Sequence, residues 1–253
     1  MGKIHLLLTK EEMDEEKMTG KIAVVFDVLL ATSTITLGLS FGVREVIPVQ
    51  TEDEAKTESL GRELNSFLLV GEKEGIALDG FHDPLSFHRQ EELKGKTVIL
   101  STTNGTVAIR KASTANKVYI ASLLNGAAVA EKLATDHQAD TIVLVCSGSS
   151  GSFSLEDFYG AGYLLSTLVE ETNNHWILTD SAQAALLFYQ GNTLDSEEVL
   201  RMSRVGQMIC EMGFGDEVAF VSQRGIVSLV PTLRGMSIGR EEDEIGGWQN
   251  ELV

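Results

Sequence analysis

The stretch that decides the fold runs TIVLVC (141–146), SGSSGSFS (147–154) and LEDFYGAGYLL (155–165). The first segment is a short apolar, β-branched run, the pattern of a buried strand. The second is a loop of small residues, and the third is apolar-rich and reads as a helix. The loop leaves backbone N–H groups unshielded, and the helix start adds partial positive charge. Ser154 is placed to cap that helix, and Glu156 and Asp157 fall in its first turn, where carboxylates are favoured. Two readings are open. In one, the acids only decorate a well-capped helix in water. In the other, Ser147, Gly148 and the helix start bind an oxyanion, with a divalent cation held by Glu156 and Asp157. Magnesium takes oxygen ligands and keeps several waters, so one or two carboxylates suffice. The loop is neither GxxxxGK[ST] nor GxGxxG.

Outward from this stretch, the same strand, loop and helix plan recurs. Ile22 to Phe26 is a continuous apolar run, as expected for a strand buried on both faces of a parallel sheet. Asp27 stands at its carboxyl end, and Thr32, Ser33 and Thr34 lead into an apolar helix. Thr97 to Leu100 is another strand, followed by a loop with Thr103, Asn104 and Gly105 and a helix over 107–112. Glu72 and Lys73 sit just past a strand over 67–70. Thr51 to Glu54 has the signature of a capping box and opens a helix to about Asn65. In open α/β sheets, ligands bind beyond the carboxyl ends of strands. Ordinary βα loops also favour Ser, Thr and Asp as caps, so one such loop is weak. Three in one alternating chain point to an anion pocket.

The totals narrow the partners. The chain has 253 residues, enough for one large or two smaller domains, and is 43% apolar. Its formal charge of −17 argues against nucleic acid and anionic membranes as partners. No apolar run approaches the ~20 residues of a membrane span. The N-terminus shows no secretory cleavage pattern. Cys146 and Cys210 form no framework, so a reduced, cytoplasmic setting is expected. The histidines His5, His82, His88, His137 and His175 have no metal spacing.

The second half reads as a helix over 155–172, an alanine-rich helix over 181–189, and a helix from Ser196 that carries Arg201, Arg204 and Cys210. Its 203–206 stretch reads as surface. Residues 213–217 are expected to turn. Residues 219–221 and 226–230 look strand-like, with Pro231 ending the second and Arg224 a further candidate anion ligand. The loop-like segment 76–92 is long enough to cover a site. The end, 239–253, reads as an acidic tail.

Val25 to Val28 with Ala31 to Thr34, Gly71 to Lys73, Ser101 to Thr106, and Phe153 to Asp157 with Ala161-Gly162 together resemble the 2-phosphosulfolactate phosphatase (ComB-like) family over about residues 1–240. The resemblance implies a magnesium-dependent enzyme that removes phosphate from 2-phospho-3-sulfolactate. In methanogens that reaction feeds coenzyme M synthesis. It also implies two dissimilar α/β parts with the site in the cleft between them. The expectation is a three-layer α/β/α sandwich-like fold divided at about 1–125 and 126–240, followed by the tail at 241–253. The partner is a small phosphorylated acid, with a homodimer left open. Asp27, Glu156 and Asp157 are the candidate catalytic acids, and with Glu72 the candidate magnesium ligands. Thr32, Ser33, Thr34, Lys73, Thr103, Asn104, Gly105, Ser147 and Gly148 are the candidate substrate contacts. An aspartyl-phosphate at Asp27 is a rival mechanism, although Leu29 stands where a DxDx[TV] motif has its second acid. This chain also has Leu30 where the family usually has arginine, Lys73 where arginine is frequent, and Phe81-His82-Asp83-Pro84-Leu85 in place of an Asn-Ser-Pro pattern. Arg44, Arg89 and Lys73 are the cations available to replace the arginine. A non-catalytic anion binder and a nucleotide-dependent enzyme on a Rossmann-like sheet remain alternatives.

Overall fold

The computed structural model describes residues 1–85, 93–173 and 175–241. The chain begins with β1 (Gly2–Leu7), α1 (Glu15–Met18), β2 (Ile22–Phe26), α2 (Ala31–Ser40), β3 (Glu45–Val49), α3 (Glu52–Ser59), β4 (Phe67–Lys73) and β5 (Ile76–Ala77). Next come β6 (Thr97–Ser101), α4 (Gly105–Lys111), β7 (Lys117–Ala121), α5 (Gly126–Asp136), β8 (Thr141–Cys146) and α6 (Leu155–Glu171). The rest is β9 (Trp176–Leu178), α7 (Asp180–Gly191), α8 (Ser196–Met202), α9 (Arg204–Glu211), α10 (Gly215–Val221), β10 (Pro231–Arg234) and β11 (Ser237–Arg240).

The strands form one mixed sheet in the order β5-β4-β6-β3-β11-β10-β7-β2-β8-β1-β9. Two parallel blocks make it up, β4-β6-β3 and β7-β2-β8-β1-β9. The antiparallel hairpin β10–β11 joins them, through Thr232 opposite Tyr119 and Ile238 opposite Val46. The alternation along β2 shows the layering directly. Ile22, Val24 and Phe26 enter one core with Val129, Leu133, Leu164 and Leu165 from α5 and α6. Ala23 and Val25 face the other way, into a core with Ile35, Leu39 and Ile109 from α2 and α4. Every residue of β2 is buried, which is why its sequence is a continuous apolar run rather than an alternating one. The α/β sandwich expected from the sequence is the observed class.

Several local expectations are corrected. Helix α3 stops at Ser59, not near Asn65, because the chain turns through Gly61 at φ +79°. Thr51 caps it as expected, accepting from the Glu54 amide at 3.1 Å, while the Glu54 carboxylate accepts from Gln50 rather than Thr51. The helix from Ser196 is two helices, broken at Ser203, whose hydroxyl accepts from the Gly206 amide at 3.0 Å. Residues 219–221 end a helix instead of forming a strand, and Val218 and Val221 are its buried contacts. Short apolar runs do not distinguish these two states. Residues 226–230 form no strand. The Gly225 and Val227 amides bond instead to the carbonyls of Leu123 and Leu124. Pro231 starts β10 rather than ending a strand, a position where its missing N–H costs nothing. Gly239 and Arg240 belong to β11, and the remainder of the expected tail, 242–253, lies outside the described residues. Among the described residues no helix is long and apolar enough to cross a membrane.

Candidate active site

Asp27 is the first residue beyond the carboxyl end of β2. The turn after it is closed by Thr32, whose hydroxyl donates to the Asp27 carbonyl at 2.8 Å and accepts from the Asp27 amide at 3.1 Å. Ser33 donates to the Val28 carbonyl at 2.9 Å, and Thr34 to the Pro84 carbonyl at 3.5 Å. These three hydroxyls are therefore used within the protein, shaping the turn that presents Asp27. Asp27 as a residue is only 7% exposed, and its carboxyl group titrates accordingly. Burial, reinforced by the negative charges of Glu72 and Glu156, pushes it up to about 7, against the pull of the Ala31 amide and Lys10.

The loop after β6 closes over Asp27. Gly105 packs so tightly that a Cβ there would lie 2.4 Å from Asp27 Oδ2 and from Ala31 Cβ. Asn104 Oδ1 accepts from Lys10 Nζ at 2.8 Å and from the Ser150 amide at 3.3 Å, so one side chain ties together three segments. Glu72 accepts from the Thr103 amide at 2.8 Å, the Thr103 hydroxyl at 3.2 Å and the Gly75 amide at 2.7 Å. It holds the β4–β5 turn against the β6 loop. Lys73, its neighbour in the strand, points to the opposite face by the strand period. It lines a neighbouring hollow with Gln50 and Asp53, which shares Glu72, Thr102 and Thr103 with the cavity at Asp27, and is not itself in the lining of that cavity.

The loop after β8 is fastened by Asp157. Its Oδ1 accepts from the Val28 amide at 2.8 Å and its Oδ2 from the Gly148 amide at 3.2 Å. Ser154 caps the same helix, accepting from the Asp157 amide at 3.4 Å. Gly148 is required here, since φ is +68° and a Cβ would lie 2.7 Å from the Ser152 carbonyl. Burial first, then Asp27 and Glu156, hold the Asp157 carboxyl well above the usual carboxylate range. Glu156 turns another way, towards Ser203 and Arg204, and burial raises it too. Glu156 and Asp157 are 3% and 2% exposed. The reading of both acids as solvent decoration is thus overturned. Ser147 Oγ is buried with no hydrogen-bond partner among the described residues.

Between these loops lies a cavity of about 270 Å³. Asp27, Glu72, Glu74 and Asp83 line it with acid, and Thr102, Asn104, Ser149 and Ser150 add polar groups. Leu29, Leu30, Leu85, Val205, Met208 and Ile209 form an apolar wall, and Arg204 is the cation that lines it among the described residues. Glu156 and Asp157 stand behind the lining rather than in it. Among the described residues, no three His, Cys, Asp or Glu side chains converge as a ready-made metal cage.

Sequence reading missed two cations. Lys10 stands before the acids Glu11, Glu12, Asp14, Glu15 and Glu16, a pattern expected in solvent, yet it is buried and reaches Asn104. Arg204 fell in a stretch read as surface, yet it lines the cavity and donates to Ser149 Oγ. The only signal was Ser203 with Gly206, a cap pattern that starts a new helix there. Of the expected cations, Arg44 lies at the amino end of β3 with Glu45 and Thr97, away from the site. Arg89 and His88 lie outside the described residues. Arg224 stacks on Tyr163 and Tyr189 instead of serving the cavity.

Residues 7–236 match the profile of the family described as 2-phosphosulpholactate phosphatase. The chain belongs to that family. Among its relatives, a protein of Clostridium perfringens (strain SM101 / Type A) is 39% identical over 236 residues, covering 90% of this chain and 92% of its own. One from Clostridium acetobutylicum is 36% identical over 234 residues, with 90% and 96% covered. One from Symbiobacterium thermophilum is 36% identical over 224 residues, with 85% and 92% covered. Each bears the name probable 2-phosphosulfolactate phosphatase. The family match spans β2, β4, β6 and β8, so it includes every strand end that borders the cavity.

Proposed function

We propose that this chain is a phosphatase that hydrolyses 2-phospho-3-sulfolactate to sulfolactate and phosphate, with magnesium as its cofactor. The observation that carries the reading is the family match over residues 7–236, which spans a cavity with Asp27 at its base. The chemistry of the lining supports a cation. Among the described residues four acids and one arginine line the cavity, while the substrate carries phosphate, carboxylate and sulfonate. Such a substrate needs more positive charge than those described residues supply. An all-oxygen donor set suits magnesium rather than a softer metal. Asp27 is the residue to hold it directly, since Glu72 and Asp157 already spend their oxygens on backbone amides. Magnesium bound there supplies charge stabilisation of the phosphoryl group and a more acidic water.

The chain's own residues do the rest. In the metal-free protein burial and neighbouring acids hold Asp27 near 7, and magnesium bound to its carboxylate would favour the ionised form, so that Asp27 would act as a ligand and not as a proton carrier. The hydroxyls of Thr102, Ser149 and Ser150 line the cavity and can donate to phosphate oxygens, whereas the amides of 147–150 and of Thr103 are already bonded within the protein. The apolar wall keeps water from the carbon skeleton.

Phosphate release from 2-phosphosulfolactate, with magnesium and with excess chelator, tests the reading. Release that needs magnesium is the expected result. Full turnover in chelator overturns the metal part. No release with magnesium present overturns the phosphatase, and binding of sulfolactate without turnover then marks an anion-binding protein. Acid quench of a single turnover separates water attack from an aspartyl-phosphate, because only the latter leaves phosphate on the protein.

A further inference from the structure

We propose that Arg204 determines substrate choice by holding one of the two anions that are not transferred, the sulfonate rather than the carboxylate, while the neighbouring apolar wall takes the carbon skeleton. This rests on the phosphatase reading above and goes beyond it by assigning the sulfonate a site. Three observations carry it. First, Arg204 lines the cavity, whereas Lys10, the other nearby cation, does not and is already engaged by Asn104 at 2.8 Å and Glu11 at 3.0 Å. Second, Arg204 is seated but not neutralised. Its guanidinium donates to Ser149 Oγ, and among the described residues no carboxylate closes an ion pair on it. A guanidinium has five N–H donors, so most remain for a ligand, in the fork geometry that suits oxyanions. Third, the helix that carries Arg204 also gives the cavity Val205, Met208 and Ile209, which with Leu29, Leu30 and Leu85 are its apolar lining. An ionised group desolvated against those side chains, without a partner, is strongly disfavoured. The sulfonate is therefore directed to Arg204, on α9, and the reacting phosphate to Asp27, on the loop after β2.

Arg204→Met and Arg204→Lys, assayed with magnesium on 2-phosphosulfolactate and on 2-phospholactate, test the assignment. The second substrate lacks only the sulfonate. A hydrogen bond to a charged group contributes about 1.5–3 kcal/mol, so Arg204→Met should raise KM for phosphosulfolactate by at least about tenfold. The KM for phospholactate should move by no more than about twofold. Sulfolactate binding, measured by calorimetry, should weaken in parallel, with Arg204→Lys intermediate. Equal losses on both substrates, or unchanged sulfolactate binding in Arg204→Met, overturn the proposal. If the wild-type protein releases no phosphate at all, the phosphatase reading fails and calorimetry alone decides Arg204. Absence of sulfolactate binding to the wild type would then overturn this assignment as well.

Discussion

The Val28 amide donates to Oδ1 of Asp157 at 2.8 Å, joining residues 129 positions apart. The other carboxylate oxygen takes the Gly148 amide. Asp157 is therefore the post to which the loops after β2 and β8 are both tied, and Asp27 stands on the first of them.

Replacing that post should cost stability before chemistry. Asp157→Ala leaves two buried amides without acceptors, at roughly 1–3 kcal/mol for each unsatisfied group. Urea denaturation should show a loss on that scale, and Asp157→Asn, which keeps an acceptor, a smaller one. Glu156 faces Ser203 and Arg204 instead, so Glu156→Gln should leave the loops in place and disturb mainly the α9 side of the cavity. Identical unfolding midpoints for wild type and Asp157→Ala would refute this role.

Asp27→Asn should remove at least about a hundredfold of the phosphatase rate, the scale on which loss of a single charge-stabilising interaction lowers kcat. The fold should survive, because the amide keeps the shape of the carboxyl and the turn is held by Thr32. A rate within a few-fold of wild type, in saturating magnesium, would sink the assignment.

Stability should depend on pH through the same residue. The folded Asp27 carboxyl sits at about 7 against an ordinary 3.8, so the native state binds the extra proton between those values. Its contribution is greatest below pH ~4 and is lost as pH rises through about 7. Metal-free wild-type protein should lose more stability between pH 5 and 8 than Asp27→Asn does. Magnesium at pH 8 should raise the wild-type Tm and have less effect on the variant, since a ligand of the native state stabilises it. Parallel pH curves for the two proteins would exclude Asp27 as the titrating group.

Gly105→Ala probes the closest approach in the site. The added methyl would lie 2.4 Å from Asp27 Oδ2 and from Ala31 Cβ. The carboxyl or α4 must shift, at a cost of about 1–3 kcal/mol for overpacking. Activity should fall further than stability, because the displaced group is the proposed metal ligand. A variant with wild-type kinetics would show that Asp27 has room to spare.

Lys73→Ala should leave phosphosulfolactate kinetics within about twofold, the effect expected of an exposed charge outside the cavity. A tenfold rise in KM would return Lys73 to the site.

The sequence by itself determined the layers, the strand ends and the acids. Continuous apolar runs such as 22–26 and 141–146 can only be buried on both faces, and each ends where a polar loop begins, which placed Asp27 and the Ser147–Ser154 loop at the sheet's carboxyl edge. Helix caps at Thr51 and Ser154 were legible because capping is a local interaction over three residues. Tertiary structure alone decided which polar groups line the cavity and which are spent on the protein's own backbone. Thr32, Ser33 and Glu72 look like ligands in the sequence, but their hydrogen bonds are taken by backbone groups from their own and neighbouring loops. Lys10 and Arg204 look like surface residues until folding brings them to Asn104 and Ser149, 94 and 55 positions away. Side-chain direction and partner choice depend on contacts between distant segments, and no period or spacing along the chain records them.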